Sequence, residues 1–169
     1  MTAHVRRPTV PVTVREVAWD DPVAAALRTA MQSEMEQRYA DRIAAFLEAG
    51  PDLHAALGVR PEEVAYTCIA FAEPDVPVGH AALRWSGDDL ELKRMYVAPS
   101  HRGRGVSTAL LAAFEEVARA RDARRIVLQT GDRQPDAVGL YEREGYTRIP
   151  IFPPYERLTF SICMEKVLR

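Results

Sequence analysis

Glu91-Leu-Lys-Arg-Met-Tyr-Val-Ala-Pro-Ser-His-Arg-Gly-Arg-Gly-Val-Ser107 reads as a strand, a short loop and the first turn of a helix. Leu90, Leu92, Met95, Tyr96 and Val97 suit a pleated, half-buried surface. Pro99 ends the strand because it has no N–H for a ladder. Gly103 and Gly105 let the loop turn without a Cβ clash. Val106, Ala109, Leu110, Ala113, Phe114 and Val117 then recur at three- and four-residue steps, one apolar helical face running to about Arg121. A helix that starts at such a loop presents unpaired backbone N–H groups and the positive end of its dipole. An anion such as a pyrophosphate can settle there. Arg102 and Arg104 add charge, and Ser107 and Thr108 add hydroxyl donors. On these residues alone, a glycine-rich turn with no ligand reads equally well.

Working outward, the strands before this stretch follow one another closely. Val64 to Glu73 and Val76 to Trp85 are strands joined at Pro74-Asp75, and Ser86-Gly-Asp-Asp89 turns into the strand of the quoted run. Such short connections imply antiparallel neighbours. After the long helix, Arg125 to Thr130 is a strand parallel to its predecessor through a right-handed crossover. Asp136 to Glu144 is a second helix ended by Gly145, and Tyr146 to Ile149 is extended. A segment with Pro150, Pro153 and Pro154 follows, and Leu158 to Val167 alternates and closes the sheet. Upstream, Val12 to Val17 alternates as a first strand. Asp20-Asp21-Pro22 caps a helical stretch that breaks near Tyr39 to Asp41 and stops at Gly50-Pro51. Residues 1–11 are expected to be a flexible arm and 12–169 a single domain of class α/β, or mixed α+β.

Composition narrows the function classes. Of the 169 residues 47% are hydrophobic and 27% charged, which are globular values. A net charge of −2 argues against broad nucleic-acid binding. No run is apolar enough to span a membrane, and the first residues lack the apolar core of a secretory leader. Cys68 and Cys163 have no zinc spacing and are read as buried thiols in a reducing cytoplasm. His80 and His101 are isolated, so no metal is expected.

Two motifs carry a family resemblance. Arg102-Gly-Arg-Gly-Val-Ser107 resembles the Arg/Gln-x-x-Gly-x-Gly/Ala signature with which the GNAT N-acetyltransferase superfamily holds the pyrophosphate of acetyl-CoA, with Ser107 at a place where Gly or Ala is usual. Ala137-Val-Gly-Leu-Tyr-Glu-Arg-Glu-Gly-Tyr146 is similar to its A-x-x-L-Y-E-x-x-G-F/Y stretch. The strong match covers about Leu90 to Ile149. The resemblance implies an acyl-CoA N-acyltransferase fold: a mostly antiparallel sheet, flanked by helices, whose central parallel strands splay to admit the co-substrate. It implies that Met95, Tyr96 and Val97 offer backbone groups to the pantetheine arm, and that Arg102, Gly103, Arg104, Gly105, Val106, Ser107 and Thr108 cradle the pyrophosphate. Gln134 stands where an asparagine often touches the pantetheine arm.

Acetyl transfer to an amine poses two proton problems. An alkyl ammonium, with pKa about 10.4, must lose a proton, and the departing thiolate is better released with a donor nearby. Acid–base groups contribute about 10²–10⁴-fold to such steps. By resemblance Tyr141 is the acid, against a packing tyrosine. Glu91 is the water-mediated base, against a solvated strand-end carboxylate, with Glu73 a substitute. Glu34, Arg38, Tyr39 and Tyr155 are candidates for the acceptor pocket.

The expected activity is acetyl-CoA-dependent N-acetylation of a small molecule or peptide, in a possible homodimer. A non-catalytic acyl-CoA-binding regulatory module is the alternative. A dinucleotide-binding protein is a third reading, and Thr108 in place of the third glycine disfavours it.

Overall fold

The computed structural model describes residues 9–48 and 50–168. The chain begins with β1 (Val12–Glu16) and α1 (Pro22–Arg38), followed by α2 (Ile43–Glu48) and α3 (Pro51–Leu57). Next come β2 (Val64–Ala72), β3 (Val76–Ser86), β4 (Asp89–Val97) and α4 (Val106–Ala120). The last third holds β5 (Arg125–Gly131), α5 (Pro135–Arg143), β6 (Thr147–Ile149) and β7 (Ser161–Val167). The strands form one seven-stranded sheet in the order β1-β2-β3-β4-β5-β7-β6. Only β4 and β5 pair in parallel.

Local chemistry explains the boundaries. The Asp21 carboxylate accepts from Val23 N (2.8 Å) and Ala24 N (3.1 Å), and Pro22 occupies the first turn of α1. Gly50-Pro51 does stop α2, as the sequence suggests, but Pro51 also starts α3, a helix that the sequence reading does not contain. One face of α4 buries Val106, Leu110, Leu111, Phe114 and Ala118 against the sheet. Gly79 on β3 lets α4 approach, since a Cβ there would lie 3.0 Å from Val106 Cγ1. The helices α1, α2 and α3 form a wall beside the sheet: α1 packs on β3 and β4, while Phe46 of α2 and Leu53 and Leu57 of α3 join Tyr155, Leu158 and Phe160 in a smaller cluster.

Two irregularities position the site. The β3–β4 register pairs Ala82 with Lys93 but His80 with Tyr96, so β4 carries an extra residue. Arg94, with φ 56°, takes up that bulge in the left-handed region. On its other side β4 pairs with β5 at only Leu90–Ile126, Glu91–Val127 and Leu92–Leu128. Beyond those pairs the strands separate, as the resemblance implies. The last strand in sequence is not an edge: β7 lies between β5 and β6, and the short β6 is outermost. The expected arm, residues 1–11, falls mostly outside the described residues. Where it is described, Val10 donates to Arg104 O (3.3 Å) and packs on the core, so that end of the arm is anchored. No helix among the described residues is long and apolar enough to cross a membrane.

Candidate active site

A cavity of about 500 Å³ opens where β4 and β5 part. Its floor includes Leu92, Lys93, Arg94 and Met95 from β4, with Gln129, Thr130 and Gly131 from β5. The wall is mostly apolar and aromatic, with Met31, Met35 and Tyr39 from α1 and its C-cap, Phe46 from α2, Leu57 from α3, and Phe160, and its polar members are Gln32, Glu36 and His54. Tyr39 stacks edge-on with Phe46, ring centroids 5.9 Å apart. Its hydroxyl accepts from Gln134 Nε2 (3.1 Å). Gly131 leaves room for that ring, because a Cβ at this position would come within 2.2 Å of Tyr39 Oη.

Tyr141, on α5, also lines the cavity and is 5% exposed. Its hydroxyl has no hydrogen-bond partner among the described residues. Burial, and secondarily the Asp136 charge, pushes the phenol pKa upward, so it stays protonated. Gln134 and Met95 reach the same cavity.

Glu91 is elsewhere. It is 2% exposed and is absent from the lining. Its Oε2 accepts from Arg84 Nε (2.9 Å), and its Oε1 accepts from the Tyr155 hydroxyl (2.5 Å). Lys93 Nζ donates to that same hydroxyl (3.1 Å) and stands 3.7 Å from Glu91 Oε1. Glu91, expected as a water-mediated base with a solvated strand-end carboxylate as the alternative, is therefore the buried anchor of a network, and its neighbour Lys93 is the member that lines the cavity. Lys93 is 8% exposed. Burial brings its pKa down to about 8, with Glu91 opposing the fall. The network had a sequence signal: Glu91 and Lys93 share a face of β4, and Arg84 is the cross-strand partner of Glu91. Tyr155, placed in the acceptor pocket by the sequence reading, sits behind the floor in this network, and Glu73 lies at the β2–β3 hairpin, outside the lining.

The strand-to-helix loop lies at the start of α4. Gly103 (φ 70°) and Gly105 (φ 88°) both occupy the left-handed region. Gly105 is the N-cap of α4 and supplies no side-chain bond to it. The amides of that first turn, from Val106 to Thr108, are thus left for an anion. Arg104 Nε is buried without a partner among the described residues. Arg102 is committed elsewhere: its Nε donates to Val97 O (2.9 Å) and its Nη2 to Glu34 Oε2 (2.5 Å). Thr108 Oγ1 donates to Glu144 (2.8 Å). Val106 points into the core, so its side chain cannot face a ligand, although its amide can. The loop thus presents backbone amides with Arg104 beside them, while Arg102 and Thr108, two of the four polar groups the sequence offers, are bonded within the protein.

Comparison with known proteins points to a family. The model of the Acetyltransferase (GNAT) family matches residues 23–146. An IAA acetyltransferase of Azospirillum brasilense is 36% identical over 93 residues, covering 55% of this chain and 61% of its own length. An aminoalkylphosphonate N-acetyltransferase of Salmonella typhimurium is 32% identical over 127 residues, 75% of this chain and 77% of its own. A solved Klebsiella pneumoniae protein described as an acyl-CoA N-acyltransferase superposes with TM-score 0.74 and 31% identity, covering 94% of this chain and 98% of that one.

Proposed function

Since the chain belongs to the GNAT acetyltransferase family, we propose that it transfers the acetyl group of acetyl-CoA to the amine nitrogen of a small acceptor held in the cavity at the β4–β5 split. The observation that carries this is Tyr141, a buried residue of the cavity lining whose hydroxyl has no hydrogen-bond partner among the described residues, beside the place where the two strands part. The uncapped start of α4, the paired left-handed glycines and the unpartnered Arg104 Nε fit a pyrophosphate.

In the reaction the acceptor nitrogen attacks the thioester carbonyl carbon and the C–S bond breaks. The Tyr141 hydroxyl gives its proton to the leaving sulfur, and the phenolate regains one from the acceptor nitrogen as the amide forms. The acceptor ammonium must first lose a proton, and we assign that task to the Glu91 network acting at one remove. Lys93 Nζ, neutral in part near its pKa of about 8, takes the proton at the cavity floor. Glu91 and Tyr155 behind it hold Lys93 in place and stabilise the ammonium that forms.

The test is thiol release from acetyl-CoA across a panel of amines, with wild type and Tyr141→Phe. The ring and its packing survive this substitution, while the donor is lost. The expected result is a kcat lower by about tenfold to a thousandfold, with acetyl-CoA affinity retained. Wild-type turnover in Tyr141→Phe, with chemistry rate-limiting, would return Tyr141 to a packing role. Acetyl-CoA binding without thiol release on any amine would leave a non-catalytic acyl-CoA-binding module.

A further inference from the structure

Arg94 is the unusual group in the cavity. It sits on the bulge of β4 and lines the floor, its guanidinium is bonded to Gln32 and Leu57 of the same lining, and it has no carboxylate within salt-bridge distance among the described residues. Most other arginines around this site are matched: Arg84 to Glu91 and Glu63, Arg38 to Glu34 and Asp136, Arg102 to Glu34. Arg94 has only two neutral acceptors, Gln32 Oε1 (3.3 Å) from Nη1 and the Leu57 carbonyl (3.2 Å) from Nη2. A guanidinium carries five N–H donors in a planar fork, so donors remain. Burial first, and the Arg84 charge second, make its charge costly to hold. Lys93 beside it adds positive charge to the floor. The acidic side chain of the lining, Glu36, is exposed on α1 and bonded by Gln32. Around this floor the wall is mostly apolar and aromatic.

We infer that Arg94 binds an acidic group of the acceptor, so that the preferred substrates are amines carrying a compact acid and an apolar or aromatic body, hydrophobic amino acids above all. This rests on the acetyltransferase reading and specifies its acceptor. A carboxylate matches the planar fork in a two-bond arrangement. A phosphonate would offer similar chemistry, and Met31, Phe46 and Phe160 would cover the apolar body of either. The competing role for Arg94 is that of a strut tying β4 to α1 and α3. The two roles differ in what they do to selectivity. A strut affects every acceptor alike, whereas an acid site affects only acids.

The experiment compares kcat/KM for matched acceptors: phenylalanine, its aminophosphonate analogue and phenethylamine, with the corresponding leucine and methionine sets. Wild type, Arg94→Met and Arg94→Lys are assayed by thiol release. Acetyl-CoA affinity and Tm are measured separately for each. Wild type should prefer acids over the matched amines, and Arg94→Met should cut that preference by about ten- to a hundredfold, the range of a charge-assisted bond pair. Arg94→Lys, a charge without the fork, should retain only part of it. Whichever acid arm shows the larger loss identifies carboxylate or phosphonate. An equal fall for acids and amines, or a wild-type preference for the amines, overturns the inference. So does turnover of other amines while every acid is refused, an outcome that leaves the acetyltransferase reading standing. Absence of acetyl-CoA binding would instead strike that reading first.

Discussion

The two halves of the proposed site are made of different material. The cradle at α4 is built from backbone: left-handed glycines, uncapped amides and a helix axis, held within one short run of sequence. The acceptor side is built from side chains that meet across long separations: Tyr155 and Glu91 are 64 residues apart, and Arg94 and Gln32 are 62. A backbone site tolerates almost any neighbour but not an added Cβ. A side-chain site tolerates backbone change but not the loss of one partner in a buried network.

The sharpest break of that contrast is at Glu91. Glu91→Ala takes from the buried Arg84 its carboxylate partner at 2.9 Å, leaving Glu63 at 3.5 Å and the neutral acceptors Gly58 O and the Tyr155 hydroxyl. Losing one partner of such a pair costs about 3–5 kcal/mol, so urea unfolding should show a fall of that size. Loss of activity with stability intact would mean the network is catalytic alone.

Acid should also strike the acceptor side. His80 is fully buried, donating from Nδ1 to Arg94 O (2.9 Å) and accepting at Nε2 from Arg28 (3.2 Å). Burial drives its pKa down to about 4. Its folded pKa lies below the ordinary value of about 6.5, so stability is fully present above 6.5 and drains as pH falls toward 4. The loss should approach roughly 3 kcal/mol by pH 4. Unfolding free energies measured from pH 7.5 to 4.5 in wild type and His80→Gln should diverge in this window; parallel curves would assign acid sensitivity elsewhere.

At the cradle, Gly105→Val puts a branched side chain at φ 88° on the phosphate approach. Acetyl-CoA affinity should drop by about a hundredfold, near 2.7 kcal/mol on the tenfold-per-1.36 scale. Unchanged affinity in the folded variant would refute the cradle. Arg102→Gln should do least. That guanidinium is spent on Val97 and Glu34, so acetyl-CoA affinity should change by less than about threefold, below 1 kcal/mol. A hundredfold loss would show that Arg102 leaves Glu34 to meet the ligand.

The same division explains what could be read from sequence. The sheet strands, the crossover and the strand–glycine loop–helix unit are local patterns of two- and three-to-four-residue period, and they stand where expected. The helix α3 was hidden because Gly-Pro marks both a stop and a start, and only tertiary contact of Leu53 with Tyr155 and Leu158 decides between them. Residue type identifies Glu91 as a carboxylate on the right strand. Its burial depends on Tyr155, which arrives from a proline-rich segment with no periodic signal. Arg94 likewise gave no sign, since the bulge that turns it toward the cavity appears only in the register of β3 against β4.

The brief pairing of β4 with β5 has a consequence for the free protein. A seven-stranded open sheet ordinarily has two edges, and this one has four, because the strands at its centre part after Leu92 and Leu128. Unpaired N–H and C=O rows normally lie at a sheet's rim, where charges and short strands discourage an invading chain. Here a pair of them faces inward, roofed by the α1–α3 wall. Hydrogen–deuterium exchange should therefore find fast amides in the middle of the molecule, flanked on both sides by slow ones. Any ligand with amides of its own that enters the gap can pair with these rows, as a strand would, and slow that exchange.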